Sequence, residues 1–154
     1  MPSRSEIELL SDLLERVSEG LSLGATVEVV EHDGVLRGTL HGDELGLFIG
    51  RHGQTIDAVQ HLAQRAVAIL VGEQRRVLID AEGYRTRRQE ALEREATEAA
   101  DDAVRDRRSI ALEAMTSSER RLVHEFLRDR DDVETQSEGE EPDRHLVVSP
   151  VPEP

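Results

Sequence analysis

Two glycines near the middle of the chain bracket a pair of side chains that suit phosphate binding. Arg51 and His52 lie between Gly50 and Gly53. Glycine lacks a Cβ atom, so another backbone can approach it closely and a positive φ costs little. The start of a helix offers amide N–H groups and a partial positive charge, which also suit a phosphate. The segment predicts a turn that binds the backbone of a single-stranded nucleic acid, through Gly50, Arg51, His52, Gly53 and the helix-start amides of Gln54 and Thr55.

The same four-residue spacing also occurs in ordinary turns between helices, and the flanking residues help to separate the two interpretations. Apolar residues recur at helical spacing after the turn, at Ile56, Val59, Leu62, Val67 and Leu70. The two central positions of the turn carry Arg and His, with no Ser or Asn to form the turn. This combination favours a binding turn at the mouth of an amphipathic helix.

The net charge argues against uniform attraction to nucleic acid. The chain has 19 Arg and no Lys against 33 acidic residues, a formal net charge of −14. Residues 45–88 carry 7 Arg against 4 acidic residues, and residues 107–130 carry 6 against 4, whereas the other segments are acidic. Acidic flanks weaken non-specific binding and make it sensitive to salt. The use of Arg alone fits either codon usage or the preference of its planar guanidinium for phosphates and bases.

Composition excludes several classes of protein. Phe48, Tyr84 and Phe126 are the only aromatic residues, too few for a base-stacking sheet of the RRM or OB type. Cysteine is absent, which excludes disulfides and thiolate metal sites. No signal peptide or apolar run long enough for a membrane span is apparent, so we expect a soluble cytoplasmic protein without membrane insertion. No cofactor or metal is predicted.

The carboxylates and histidines do not predict an enzyme. The chain contains no H-E-x-x-H, D-x-D, G-x-S-x-G or Walker motif. The pairs Asp101-Asp102 and Asp131-Asp132 are adjacent in sequence, so their carboxylates do not converge as an acid/base pair would. We therefore expect a non-catalytic protein.

Periodicity in the first half predicts a small mixed domain. A helix from about Ser5 to Gly20 precedes two strands, Thr26–Glu31 and Val35–Leu40, and Asp33-Gly34 between them is a hairpin signal. A short apolar helix, the glycine turn and the amphipathic helix follow. A last strand covers Arg75–Asp80.

The second half predicts a long charged helix and a second small domain. The helix covers roughly Glu82–Arg107, and Arg85, Arg87 and Arg88 at its start either extend the positive surface or pair with nearby acidic residues. Then follow, in order, a strand Ser109–Met115, a helix Ser117–Arg130 and strands Val133–Gln136 and His145–Ser149. Thr116 and Glu119 have the spacing of a capping box. Arg120 and His124 lie four residues apart, hence on one face of the helix.

The run Ile49–Gln60 closely resembles the KH loop of the bacterial Jag (KhpB) family, which pairs a KH domain with an R-3-H domain. Arg120-x-x-x-His124 resembles the R-3-H signature, and its surroundings Glu119–Glu125 and Ser137–Arg144 are similar too. The resemblance implies an α+β fold: a type II KH domain with a three-stranded sheet packed by helices, then a small α/β R-3-H domain. We expect the KH domain at 1–81, a linking helix at 82–107 counted with the second domain, the R-3-H domain at 108–150 and a disordered tail at 151–154.

The resemblance implies binding of single-stranded RNA, with a second, weaker contact for RNA or single-stranded DNA at Arg120 and His124. An exposed pair with His124 bonded to the Glu-rich loop is the alternative; the acidic loop Ser137–Asp143 is expected to be structural and to orient the pair. The implied role is a post-transcriptional regulator or RNA chaperone linked to cell elongation, cell shape and cell-wall biogenesis. The rival is an adaptor that pairs with a small single-KH protein or membrane-insertion machinery, with the oligomeric state open. Many family members carry an N-terminal domain that this chain is expected to lack.

Overall fold

A computed structural model describes residues 4–152. The chain divides into two compact units, Met1–Arg85 and Thr86–Pro154. Both units combine helices with a three-stranded sheet, so the predicted α+β class is confirmed. In the part of the chain that the structure describes, no helix is both long and apolar enough to cross a membrane.

The first unit has the predicted order of elements. These are α1 (Arg4–Gly20), β1 (Thr26–His32), β2 (Val35–His41), α2 (Gly46–Ile49), a single 3₁₀ turn (Arg51–Gly53), α3 (Gln54–Val71) and β3 (Val77–Ala81). β1 and β2 form the expected hairpin, with His32 opposite Val35 and positive φ angles at Asp33 and Gly34. β3 then pairs with β2 in parallel, from Leu36 opposite Val77 to Leu40 opposite Ala81. The strand order is β1-β2-β3.

The core of this unit lies between the sheet and helices α1 and α3. Leu10 and Leu14 of α1 are fully buried, as are Ile56 and Val67 of α3. Gly38 in the middle of β2 allows α1 to approach the sheet, because a Cβ there would lie 2.5 Å from Leu14 Cδ1. The amphipathic pattern of α3 packs this helix on the sheet and so positions the glycine turn, which directly precedes it.

The second unit contains most of a long helix and a second sheet. Its elements are α4 (Tyr84–Asp106), β4 (Ile110–Ala111), α5 (Ser117–Leu127), β5 (Val133–Glu138) and β6 (His145–Pro150). The antiparallel sheet has the order β4-β6-β5. α4 contributes a stripe of small side chains to the core, where Ala96, Ala100 and Ala103 are fully buried with Val123 of α5 and Val148 of β6.

Two predicted elements of this unit are too long. The strand predicted at Ser109–Met115 covers only Ile110–Ala111. Beyond Ala111 the chain no longer forms a continuous ladder with β6 and makes isolated backbone hydrogen bonds to residues in or just before that strand. Leu112 N donates to Leu146 O at 2.9 Å and Met115 N to Arg144 O at 3.1 Å. The helix predicted to reach Arg130 ends at Leu127, and the chain then turns through Arg128.

Candidate nucleic-acid interface

The glycine turn joins two helices through backbone conformations that glycine favours. Gly50 has φ 73° and ψ 177°, and Gly53 has φ 76° and ψ 15°. His52 also has a positive φ of 55°, which is uncommon for a residue with a side chain. Gly50 N donates to Gly46 O at 2.8 Å, and Gly53 N donates to Gly50 O at 3.3 Å. The turn is thus a closed backbone structure rather than an extended loop.

Neighbouring side chains occupy the space that a Cβ would need at either glycine. A Cβ on Gly50 would collide with the Thr55 hydroxyl and lie 2.9 Å from Thr55 N. A Cβ on Gly53 would lie 2.9 Å from the hydroxyl oxygen of Tyr84, whose ring also packs on the core. Thr55 and Tyr84 therefore lie against the turn on two sides. Gly50 is required by space as well as by φ, and Gly53 is required by its positive φ.

Arg51 and His52 differ in how far they reach into solvent. Arg51 is exposed and His52 is half-buried. Arg51 Nε donates to His52 Nε2 at 3.3 Å, which requires an unprotonated Nε2 on His52 in this arrangement. The turn therefore presents one exposed guanidinium, whose Nη1 and Nη2 groups are not part of the contact with the imidazole.

The prediction that the backbone amide of Gln54 is available to a ligand is wrong. Gln54 N already donates to Arg51 O, so this amide closes the 3₁₀ turn and is not offered to a ligand. The Gln54 side chain is exposed, whereas Thr55 is half-buried against Gly50. No side chain caps the start of α3. Gln54 can contribute through its side chain, and Thr55 lies directly beside the turn.

Arg85 connects the first two turns of α3 to strand β3 through hydrogen bonds. Its guanidinium donates to Asp57 Oδ1 at 2.9 Å, to Gln60 Oε1 at 3.1 Å and to Ile79 O at 2.7 Å. Gln60 Oε1 also accepts from Ile79 N at 2.9 Å. Of the two interpretations for Arg85 and Arg88, ion pairing is the one observed, because Arg88 Nε lies 2.7 Å from Glu119 Oε1.

Arg120 in the second unit is directed inward. It is 9% exposed, and its Nη1 donates to Met115 O at 2.6 Å. Its Nη2 donates to Glu141 Oε1 at 2.8 Å, and the Glu141 side chain is 60% exposed. The loop Ser137–Asp143 thus supplies a carboxylate to Arg120. The prediction that the loop orients the Arg120/His124 pair therefore holds for Arg120, whereas His124 is bonded to Thr135.

His124 remains at the surface on the same helix. Its Nδ1 is hydrogen-bonded to the Thr135 hydroxyl of β5. The alternative of an exposed pair with His124 bonded to the acidic loop is therefore wrong, because Arg120 is buried and is itself the residue that takes the loop carboxylate. The predicted capping box is confirmed: Thr116 Oγ1 accepts from Glu119 N at 3.3 Å, and Glu119 Oε2 accepts from Thr116 N at 3.2 Å.

An ion-pair cluster lies after α5 in this unit. Arg130 contacts both carboxylate oxygens of Asp132, at 2.9 and 2.7 Å, and Asp101 Oδ1 at 2.7 Å. Hydrogen bonding to Arg130 lowers the pKa of Asp132, and the same contacts raise the pKa of Arg130. Within residues 4–152, no group of three or more His, Asp or Glu side chains is arranged to hold a metal ion.

Two family models match the chain, one in each unit. The model for the KH domain of KhpA/KhpB covers residues 8–79, and the model for the R-3-H domain covers residues 90–150. A protein of Clostridium symbiosum named RNA-binding protein KhpB is 38% identical over 140 residues, which are 90% of this chain and 63% of that protein. The protein of the same name from Bacillus subtilis (strain 168) is 36% identical over 138 residues, 88% of this chain and 66% of its own length.

The chain belongs to the Jag/KhpB family. It spans just under two thirds of the length of these two relatives. The KhpA/KhpB model includes the glycine turn, and the R-3-H model includes Arg120 and His124, so the matched segments contain every predicted site residue.

The positive charge available around the glycine turn is smaller than the number of Arg residues in the sequence suggests. At least three of the seven Arg residues in segment 45–88 form ion pairs with carboxylates: Arg75 with Glu6 at 3.3 Å, Arg85 with Asp57 at 2.9 Å and Arg88 with Glu119 at 2.7 Å. Arg51 is the exposed cation on the turn itself. Any phosphate contact at the glycine turn therefore depends on the position of Arg51 more than on the net charge of the segment.

Sequence reasoning missed two residues that support the KH turn. Tyr84 packs on Gly53 and Arg85 bonds to Asp57, contacts that join positions 31 and 28 residues apart. The signal in the sequence is weak: Tyr84 is the single tyrosine of the chain and follows directly after the turn at Glu82-Gly83. A single sequence does not reveal which residue such a side chain will contact.

Proposed function

We propose that this chain is a non-catalytic, single-stranded RNA-binding protein whose main contact is the turn Gly50–Gly53. The observation that carries the proposal is an exposed Arg51 on a glycine turn that Thr55 and Tyr84 hold in place. Relatives that align over most of the chain are named RNA-binding proteins. RNA incubated with the protein is expected to be recovered uncut.

The RNA backbone would cross the turn at the two glycines. Arg51 would bind a phosphate through its outward N–H donors, with His52 beside it. Gln54 and Thr55 would add side-chain contacts at the start of α3. Bases would then be read in the groove between α3 and the neighbouring strand, which is how a KH-type clamp leaves the base edges accessible.

Arg120 and His124 would form the second, weaker contact, for RNA or single-stranded DNA. His124 is at the surface, whereas a phosphate would have to displace Glu141 to reach Arg120. The exposure of Glu141 allows this exchange at the cost of one ion pair. Two linked modest sites gain affinity through effective concentration.

In the cell, we propose a cytoplasmic post-transcriptional regulator or RNA chaperone linked to cell elongation, cell shape and cell-wall biogenesis. The support is family membership.

The second candidate is an adaptor that acts through KH–KH pairing with a small single-KH protein or with membrane-insertion machinery. One observation favours it: α3 carries apolar side chains on its outer surface, Leu62, Ile69 and Leu70, and Ile69 is 79% exposed. The family model for this domain is described for KhpA and KhpB together. Pairing through α3 would leave the glycine turn available to RNA.

The deciding experiment is a titration of a mixed single-stranded RNA pool with wild type and with Arg51→Asp/His52→Asp. The matched control is Arg16→Asp/His32→Asp, which makes the same charge change at exposed residues of α1 and β1. All three proteins need equal thermal melts. We expect the turn variant to lose binding and the control to keep it.

Salt dependence provides a second readout of the same titration. If three or four phosphates are neutralised, log affinity should fall with log salt at a slope of roughly −2 to −3. A flat dependence, or equal binding by the turn variant and the wild type, would contradict the proposed contact. Absence of binding by the wild type would leave the adaptor as the better function.

A further inference from the structure

Phe126 lies at the centre of a shallow, open groove between α4 and α5 in the second unit. It is 42% exposed, although Val123 and Leu127 on the same helix are buried in the core. Two adjoining depressions of about 460 and 470 Å³ flank its ring and share Glu93 and Phe126. The first is lined by Glu90, Glu93, Arg94, Thr97, Glu98 and Phe126.

The rim of this groove is acidic. Glu90, Glu93 and Glu98 come from one face of α4 and Glu125 from α5, against the guanidiniums of Arg94 and Arg121. Arg121 is already paired with Glu125, at 3.1 Å. The carboxylates therefore outnumber the cations around an apolar centre, and a nucleic-acid backbone would be repelled from it.

We propose that this groove binds a short Lys- or Arg-rich protein segment that carries one apolar anchor residue. The anchor would pack on Phe126 and Leu122, and the flanking cations would meet the carboxylates of α4. The face from Glu90 to Glu98 is about 12 Å long at 1.5 Å per residue, enough for two turns of a bound helix. An isolated exposed Phe needs no partner, but a Phe within a carboxylate-rimmed groove has the pattern of an apolar anchor site with a polar rim.

The groove faces away from the proposed second RNA contact. Phe126 follows His124 by two positions, which places it about 200° around the helix. His124 contacts Thr135 of β5, whereas Phe126 faces the side chains of α4. The inference does not depend on RNA binding, and the peptide titrations that test it require no RNA. If both sites are used, one protein can hold RNA and a basic protein at the same time.

Four synthetic twelve-residue peptides test the proposal on the full chain. One is Lys-rich with a central Leu, one has Ser in place of that Leu, and the other two are their Glu-rich counterparts. Affinity is measured by fluorescence anisotropy, and the site by amide chemical shifts. We expect only the Lys-rich peptide with Leu to bind well, about tenfold more tightly than its Ser version, and to shift the amides of 89–98 and 118–126.

Two variants separate the apolar anchor from the charged rim. Phe126→Ala should remove the tenfold advantage of the Leu peptide, whereas Glu90→Gln/Glu98→Gln should weaken both Lys-rich peptides and reduce their salt dependence. Ile69→Ala, at an exposed apolar residue of the first unit, is the control and should leave peptide binding unchanged.

Three outcomes would overturn the proposal. They are equal binding of the Leu and Ser peptides to wild type, peptide-induced shifts outside the groove alone, and full retention of the Leu advantage in a folded Phe126→Ala protein. Chemical shifts of the α4 amides 89–98 on addition of single-stranded RNA would also overturn it, because they would make the groove a nucleic-acid site.

Discussion

The two units each contain an Arg/His pair at a predicted nucleic-acid site, yet the pairs are used differently. In the first unit Arg51 and His52 occupy a glycine turn, and Arg51 is exposed. In the second, Arg120 is buried and is bonded to Met115 O and Glu141, and only His124 remains exposed. An arginine of the pair is thus a solvent-exposed charge in the first unit and a buried hydrogen-bond donor in the second.

The backbone explains this difference. Arg51 lies in a short turn between two helices and not on the buried face of either, so its side chain reaches solvent, while His52 beside it is half-buried. On α5, Arg120 falls at the first position of the buried stripe that continues through Val123 and Leu127. A residue on such a stripe faces the core, so its charge must be paired there. The spacing of Arg120 and His124 alone therefore does not show which of the two can contact a ligand; that depends on which face of the helix is buried.

Arg120→Ala should have the largest effect, and the effect should be on stability. Removal of the guanidinium leaves the Met115 carbonyl and the Glu141 carboxylate without their donor, at a cost of about 2–3 kcal/mol in the free energy of unfolding. Arg51→Ala should cost less than about 0.5 kcal/mol, as expected for an exposed residue. Urea unfolding followed by circular dichroism measures both.

The matched control for that comparison is Arg121→Ala on the same helix. It removes one exposed ion pair with Glu125 and should cost about 0.3–0.5 kcal/mol. A cost for Arg120→Ala no greater than this would mean that the buried contacts of Arg120 contribute little.

Gly50→Ala should reduce RNA affinity by about tenfold, corresponding to about 1.4 kcal/mol. The new Cβ would meet Thr55 at a φ of 73°, so the turn would have to change shape. Gly46→Ala is the control on α2, because a Cβ there meets nothing within 4 Å. Equal affinities of the two variants in an RNA titration would show that the shape of the turn does not govern binding.

Tyr84→Ala should weaken RNA binding about fivefold, through loss of preorganisation rather than of a contact. The ring that packs on Gly53 is removed, while Arg51 is untouched. Tyr84→Phe keeps the ring and should bind nearly as wild type does. Hydrogen exchange at the Gly53 amide should accelerate only in the Ala variant; unchanged exchange there would disprove the supporting role.

Glu141→Gln should have the smallest effect, a gain in affinity of about two- to threefold when one acidic charge near Arg120 is removed. The measurement uses the Arg51→Asp/His52→Asp background at low salt, so that the second unit dominates the signal. The matched control is Glu138→Gln on β5. If Glu141→Gln gains no more than this control, Arg120 has a structural role only.

Local patterns predicted much of the architecture. The hairpin at Asp33-Gly34, the glycine turn and the Thr116/Glu119 capping box each depend on residues close in sequence, and all three form as expected. Such features are set by backbone preferences and short-range hydrogen bonds, which a single sequence displays directly.

Contacts between distant positions were not predictable in the same way. The packing of Tyr84 on Gly53, the bonds of Arg85 to Asp57 and the pairing of Arg120 with Glu141 all join elements that only the fold brings together. The segment after Ala111 has a strand-like pattern but leaves the ladder before the Thr116 cap. Local propensity does not contain these tertiary constraints.

The hydrogen bonds of Arg85 also determine where a KH-domain fragment of this protein must end if its glycine turn is to keep its support. A fragment cut at the end of β3 would lose the donor for Asp57 and the ring behind Gly53, although every strand of its sheet would be intact. The first turn of α4 therefore belongs with the KH fold, and the remaining turns contribute Leu92 and Ala96 to the other core. A weak RNA affinity measured on such a shortened fragment would reflect a missing support rather than a poor binding site.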